Sequence, residues 1–232
     1  MLGGLCVREA LFLLAHDPEH KGRPRVHMPV LATGLAGATL VDLILARRIH
    51  VAGGRVHALA YDPRDGRIPL DHAQARTLVE EVAEPVTDHA RALVTGVRRP
   101  TPAQDLIEII GLDVYGRTLT RLVETGHVTR TQRRLGRPLH RPDQQALVEA
   151  TGALISATQD IGHDPDSDAL CALAHILNLH GVLSPADSAE IGNAGRAGLT
   201  RLRALAPPLD GVPKVVDTVQ AAVDAVTVKV YA

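Results

Sequence analysis

The stretch that decides the fold covers residues 30–51 and reads VLATGLAGATLVDLILARRIHV. Its apolar side chains recur often enough to cover most of a helix circumference, and such a helix is stable in water only when other helices enclose it. Gly34 and Gly37 each cost about 1 kcal/mol relative to alanine inside a helix, so we expect a neighbouring backbone close to them, or a kink. Arg47 and Arg48 follow at the C-terminal end, where positive charge complements the helix dipole. The segment therefore predicts a central helix around which the rest of the chain packs.

The composition sets the kind of core that surrounds this helix. Of the 232 residues, 45% are hydrophobic, but only 2% are aromatic and none is tryptophan. A core of Leu, Val, Ala and Ile favours helices, and so few rings argue against stacking on nucleic-acid bases. The net charge of −1 gives no general attraction to nucleic acid either. The length permits one large domain or two small ones, and we predict one domain over residues 1–232 with no nucleic-acid partner.

Cysteine usage and the N-terminal segment bear on the cellular compartment. Cys6 and Cys171 are too few for a disulfide framework or a zinc site, which indicates a reducing environment. The N-terminal segment lacks the basic region and cleavage site of a signal peptide. The longest apolar stretch carries Asp42 and is shorter than a comfortable membrane span. We therefore expect a cytoplasmic protein, with any membrane contact peripheral on the inner face of the membrane.

Helix and turn signals divide the rest of the chain into short elements. A Gly53–Gly54 turn between two short runs predicts a β-hairpin over residues 49–61. A second hairpin is expected over residues 127–139, directly after Gly126, a candidate helix C-cap. Helices are predicted at 5–15, 70–84, 86–95, 103–110, 114–125, 143–159, 168–179 and 184–205, and helix or strand at 215–230. The predicted fold class is mainly α, a helical bundle with one or two β-hairpins.

Five short motifs resemble, in the same order, those of the Golgi phosphoprotein 3-like family, whose bacterial members occur largely in actinomycetes. They are EALFLL at residues 9–14, TGLAGATLVDL at 33–43, LD at 70–71, LVETG at 122–126, and DP at 164–165 followed by LAH at 173–175. The resemblance covers nearly the whole chain. It implies one mostly helical domain with a protruding hairpin, and a function as an adaptor that binds phosphatidylinositol 4-phosphate in membranes.

The resemblance also implies where a lipid head group would bind. Aligned on the motifs, His27 replaces the family's aromatic residue before the central helix, and Ala36, Leu112 and Tyr115 replace three arginines. A phosphomonoester needs several charge-assisted donors, which arginine supplies in fixed bidentate geometry. Because Ala36 and Leu112 supply none, the family's head-group pocket is degenerate in this chain.

Other cations lie close by in the sequence. Residues 112–141 hold seven arginines and two acidic residues, a local charge of +5, and basic residues near an anionic membrane contribute about 1 kcal/mol each. We expect binding to anionic lipid or to a phosphorylated small molecule. The alternatives are a solvated run of charge, or a homo-oligomer contact through the 127–141 hairpin. The candidate ligand-binding residues are His27, Tyr115, Arg117, Arg121, Arg133, Arg134 and Arg137.

Two acidic clusters leave an enzymatic alternative open. Carboxylates on helices around a shared cavity can hold Mg²⁺, which binds a diphosphate, and a helical bundle could then act on a prenyl diphosphate. Carbocation chemistry usually needs aromatic faces, however, and this chain has few. The simpler interpretation makes Asp164 a helix N-cap and Asp168 a loop acid before a helix that begins at Ala169. The candidate Mg²⁺ ligands are Asp71, Glu80, Glu81, Glu84, Asp164, Asp166 and Asp168; the lipid-binding hypothesis needs no cofactor.

Overall fold

The computed structural model of the chain describes residues 2, 4–18, 22–58, 100–131, 139–158, 164–179, 188–204 and 209–231. Helices dominate these residues, so the predicted mainly α fold class is confirmed. The helices predicted at 70–84 and 86–95 lie outside the described residues. The described helices are α1 (Val7–Leu14), α2 (Met28–Leu45), α3 (Ala103–Gly111), α4 (Val114–Glu124), α5 (Gln144–Thr158), α6 (Pro165–Ile176), α7 (Ser188–Arg203) and α8 (Gly211–Tyr231).

Short antiparallel strands connect several of these helices. The strands are β1 (His16–Asp17), β2 (Arg23–Pro24), β3 (Ile49–Ala52), β4 (Arg55–Ala58), β5 (Thr101–Pro102), β6 (Val128–Thr131) and β7 (Leu139–Pro142). They pair as β1–β2, β3–β4–β5 and β6–β7. The two predicted hairpins are confirmed by β3–β4 and β6–β7. The β1–β2 pair is a third, which the sequence did not predict because strands of two residues are too short to show alternation.

The central helix α2 is enclosed as predicted, but it is shorter than the apolar stretch. It begins at Met28 and ends at Leu45, and residues of α1, α3, α4, α6 and α8 pack against it. By length and composition α2 could cross a membrane, yet 61% of the helix is buried inside the protein. The enclosure explains its composition, since apolar side chains on every side of the helix meet other helices.

The two glycines of α2 are explained by side chains, which corrects the expectation of a nearby backbone or a kink. A Cβ at Gly34 would lie 2.6 Å from Leu177 Cδ1, and a Cβ at Gly37 would collide with Val219 Cγ2. The helix runs through both positions without interruption. Leu177, just after α6, and Val219 of α8 thus fill the notches that the glycines leave, which lets both neighbours pack close to α2.

The C-terminal end of α2 is closed by a Schellman motif, a hydrogen-bonded helix end that requires one left-handed residue. The Arg48 N–H donates to the Leu43 carbonyl oxygen at 2.8 Å, and the Arg47 N–H donates to that of Ile44 at 2.9 Å. Arg47 takes the left-handed position, with φ of 54°. The two arginines therefore follow the helix in the turn that leads to β3.

Asp42 in the otherwise apolar α2 fixes the start of α1. Its Oδ1 accepts a hydrogen bond from the Val7 N–H at 2.9 Å, and its Oδ2 accepts one from the Arg8 N–H at 3.4 Å. The Arg8 side chain, which is fully buried, has Nη1 3.7 Å from Asp42 Oδ2. The carboxylate thus satisfies backbone donors at a helix N-terminus, where negative charge is favourable.

Two further elements differ in detail from the predictions. Helix α6 begins at Pro165, three residues earlier than predicted, because Asp164 caps it. The C-terminal segment, left open as helix or strand, is the 21-residue helix α8. It begins beside β3, where a Cβ at Gly211 would lie 3.2 Å from Val51 Cβ.

Candidate functional site

The candidate site lies at the end of the bundle where α2 begins. Helix α8 runs antiparallel to α2, since Gly211 lies next to Ile44 and Val219 next to Gly37. At about 1.5 Å of rise per residue this pairing places residue 228 of α8 level with Met28 of α2. The C-terminal end of α3 lies beside the first turns of α2, because a Cβ at Gly111 would lie 3.9 Å from the Ala32 carbonyl oxygen.

Large apolar side chains are exposed at this end. Leu112, in the turn between α3 and α4, is 87% exposed, Val228 is 68% exposed and Met28 is 41% exposed. We call these three residues the end face. His27, the exposed N-cap residue of α2, directly precedes Met28. Three different elements therefore present apolar side chains to solvent at one end of the protein.

Two hairpins bring positive charge to the same end. The β1–β2 hairpin leads directly into α2, and its Gly22 packs against the carbonyl group of His140 in β7. The β6–β7 hairpin therefore lies alongside it. We call the four arginines of the two hairpins the basic surface: Arg23, Arg25, Arg130 and Arg141. Arg25 lies 3.7 Å from Asp17, while the other three form no ion pair with another described residue.

A small aromatic cluster joins α1 and the β1–β2 hairpin to α4. The Phe12 and His16 rings stack with centroids 4.1 Å apart, and the Tyr115 ring lies 5.2 Å from Phe12. His16 Nδ1 contacts the Phe12 carbonyl oxygen at 2.6 Å and therefore carries the proton, so Nε2 accepts from the Tyr115 hydroxyl at 3.1 Å. Burial lowers the pKa of His16 to about 4, although the bond to Phe12 opposes the shift. Burial also raises the pKa of Tyr115.

The four positions that align with the family's head-group pocket differ in their exposure. His27 and Leu112 are exposed, but Ala36 is buried in the core. Tyr115 is half-buried and donates its hydroxyl proton to His16. The described side chains at these positions therefore offer an anion no convergent set of donors.

The arginines predicted to bind the ligand are placed as follows. The Arg117 guanidinium on α4 pairs with Asp113, the N-cap residue that precedes the helix. Arg121 Nε lies 3.9 Å from Glu9 Oε1, so this arginine faces α1. Arg133, Arg134 and Arg137 lie outside the described residues.

The acidic residues of the Mg²⁺ hypothesis serve other purposes where the structure describes them. Asp164 accepts hydrogen bonds from the N–H and the hydroxyl of Ser167, at 2.9 and 2.8 Å. Asp168 lies inside α6, which corrects its expected place in a loop, and its buried carboxylate pairs with Arg201 of α7. Burial and the nearby Asp164 raise the pKa of Asp166.

The other candidate Mg²⁺ ligands, Asp71, Glu80, Glu81 and Glu84, lie outside the described residues. Within the described ranges no three His, Cys, Asp or Glu side chains are grouped so that they could hold a metal ion. Burial also raises the pKa of the Cys171 thiol to about 12, so it is no nucleophile at neutral pH. The described part of the chain therefore exposes arginines and large apolar side chains at this end of the bundle.

Sequence reasoning missed most of the end face. Met28 and Val228 are 200 residues apart, and only the antiparallel packing of α8 on α2 brings them level. Arg23 and Arg25 indicated the basic surface only weakly, because they lie in a polar segment directly before the central helix.

Comparison with known proteins places the whole arrangement in one family. A comparison with curated proteins finds no significant match. The family model described as Golgi phosphoprotein 3 (GPP34) matches residues 7–226, from the start of α1 into the last turns of α8. The match includes the stretch around α2, the β6–β7 hairpin and the helix that Asp164 caps. The chain therefore belongs to the Golgi phosphoprotein 3 (GPP34) family.

Proposed function

We propose that the protein is a peripheral adaptor that binds anionic lipid surfaces through the basic surface, without a specific site for one head group. The observation that carries the proposal is the exposure of Arg23, Arg130 and Arg141 on adjoining hairpins, with no ion pair to another described residue. Such cations keep their charge available for an external anion. The proposed place of action is the cytoplasmic face of the inner membrane.

The geometry favours a diffuse surface over a pocket. A phosphoinositide head group needs several donors that converge on one phosphate. Here Ala36 is buried and Tyr115 donates its proton to His16, whereas the exposed arginines are spread over two hairpins. Spread cations respond to the charge density of a membrane and not to one lipid, and each contributes about 1 kcal/mol near an anionic surface.

Vesicle co-sedimentation tests this proposal. We expect no binding to phosphatidylcholine vesicles, and equal binding to vesicles with phosphatidylserine or phosphatidylinositol 4-phosphate at matched surface charge. Binding should fall steeply as the salt concentration rises from about 0.05 to about 0.5 M, because surface electrostatics are screened over this range. A clear preference for phosphatidylinositol 4-phosphate would contradict the absence of a specific site, and no binding to any anionic vesicle would overturn the proposal.

Charge-reversing variants test whether the basic surface makes the contact with the membrane. Arg130→Glu or Arg141→Glu changes the local charge by two, so we expect a loss of about 2 kcal/mol, or roughly 30-fold in vesicle affinity. Arg196→Glu is the matched control, since Arg196 is exposed on α7, which packs against α5, α6 and α8. Equal losses in both kinds of variant would show that only net charge matters.

Gel filtration of the same variants addresses the alternative that the 127–141 hairpin joins two copies of the chain. If the hairpin is a homo-oligomer contact, Arg130→Glu should change the elution volume in the absence of vesicles. An unchanged elution volume together with weaker vesicle binding supports the lipid-binding proposal.

A further inference from the structure

We propose that the end face, formed by Met28, Leu112 and Val228, inserts among the lipid head groups when the basic surface binds a membrane. The inference rests on the proposed function and adds an apolar contact to it. It begins from the exposure of Leu112, which at 87% is the most exposed large apolar side chain among the described residues. A leucine in water gains free energy when apolar matter covers it.

The end face is formed by residues from three separate parts of the fold. Met28 opens α2, Leu112 follows α3, and Val228 lies in the last turns of α8. Ile109, 44% exposed and one turn before Leu112, extends the apolar area along α3. The remaining exposed large apolar residues among those described, Val148 and Ile155, lie on α5. Large apolar side chains exposed together at one end of a protein indicate a contact surface more often than scattered single residues do.

Charges around the end face match an anionic bilayer. Arg25 lies three residues before Met28, and Arg117 lies five residues after Leu112. Both arginines pair with nearby acids, Asp17 and Asp113, so the positive charge available to a membrane at this end comes from Arg23, Arg130 and Arg141 of the basic surface. An apolar centre with cationic side chains around it is the pattern of a protein segment at the membrane interface, where the apolar groups enter and the cations remain at the phosphates.

A second copy of the chain fits this surface less well than a bilayer. In a two-fold dimer the same patch faces itself, so the basic surfaces of the two copies would approach each other and repel. Three or four side chains also cover far less than the roughly 800 Å² per partner that a stable protein interface buries. A bilayer complements both the apolar centre and the cationic rim.

The sequence supplies a direct test because the chain contains no tryptophan. Leu112→Trp introduces a single indole fluorophore at the end face, and Val148→Trp introduces one at the exposed surface of α5 as the matched control. Anionic vesicles should shift the emission of the Leu112→Trp protein to shorter wavelength, and lipids brominated on their acyl chains should quench it. The control protein should show neither change.

The outcomes separate this inference from the proposed function. If both proteins co-sediment with vesicles but the emission of the Leu112→Trp protein is neither shifted nor quenched, insertion is wrong and the electrostatic binding stands. Equal changes in both proteins would indicate general adsorption and overturn the end face as the contact. A shift that depends on protein concentration without vesicles would show that a second copy covers the end face, and failure to co-sediment would overturn both proposals.

A second variant measures the contribution of insertion to affinity. Leu112→Gln keeps the charge and the size but removes the apolar group. We expect about tenfold weaker vesicle binding, with the loss undiminished at high salt because screening acts only on charges. Val148→Gln should leave the affinity unchanged, and an equal affinity of the Leu112→Gln protein would contradict the inference.

Discussion

Arg47 holds a backbone conformation that favours glycine. Its φ of 54° closes the end of α2, and its side chain is exposed. A left-handed residue other than glycine costs about 1–2 kcal/mol, so Arg47→Gly should stabilise the fold by about 1 kcal/mol once the greater freedom of glycine in the unfolded chain is subtracted. Urea unfolding measures the gain.

The matched control for this prediction is Asn178, which holds φ of 56° at the end of α6. Because asparagine tolerates the left-handed region better than arginine does, Asn178→Gly should gain less. A loss of stability in the Arg47→Gly protein would contradict the account of the α2 end.

The lowered pKa of the buried His16 predicts that the folding stability depends on pH. Its pKa is about 4 in the folded protein, against 6.5 for an exposed histidine. Between these values the unfolded chain binds more protons, so folding stability falls as the pH drops from 6.5 toward 4. From about pH 7.5 to about pH 5 the expected loss from this one residue is about 2 kcal/mol.

Unfolding in urea at the two pH values, in the wild type and in His16→Gln, measures the effect. The variant should be less stable at the higher pH, because Gln does not reproduce the bonds to Phe12 and Tyr115. The stability difference between the two proteins should narrow at the lower pH, where the other histidines contribute equally to both. A constant difference would show that His16 does not cause the dependence.

At the scale of elements, the glycines of α2 set how closely its neighbours pack. In Gly37→Ala the new methyl group meets Val219 of α8, and overpacking of a core costs about 1–3 kcal/mol. Gly152→Ala is the matched control, because nothing lies within 4 Å of a Cβ there. It should stabilise α5 by up to about 1 kcal/mol through helix propensity. Thermal unfolding gives both values.

A double variant isolates the contact between α2 and α8. Val219→Ala makes room for the added methyl group, so the cost of Gly37→Ala should be smaller in the Val219→Ala background. If the two costs simply add, the collision with Val219 is not the reason for the glycine.

Elements whose signals are local were predictable from the sequence. The glycine turn of β3–β4, the cap at Gly126 and the apolar periodicity of α2 all lie within short windows, and the structure bears them out. Asp42 shows that contacts between distant residues were not predictable in this way. Its presence in α2 was evident, but its hydrogen bonds go to Val7 and Arg8, some 35 residues away, and no local pattern reports such a contact.

The candidate site was less predictable than the fold because it depends on packing between distant elements. Tyr115 stays a predicted ligand-binding residue, but its hydrogen bond to His16, which is 99 residues away in the sequence, could not be foreseen from any local pattern. Val228 joins the end face only through the register of α8 on α2. The basic hairpin was foreseen, since its arginines are close together in the sequence, but not that β1–β2 lies against it through Gly22 and His140.

At the scale of the whole molecule, the buried apolar residues form one cluster that includes side chains from every described helix, α1 to α8. Such a core should unfold cooperatively, so we expect a single transition for residues 1–232 as one domain. Leu11→Ala in α1 and Leu202→Ala in α7 remove buried side chains near opposite ends of the chain, and each should cost about 2–5 kcal/mol. If the core is continuous, both variants shift the same transition, seen at one midpoint by calorimetry and by circular dichroism. Two transitions, with each variant moving only one of them, would instead show that the chain folds as two domains.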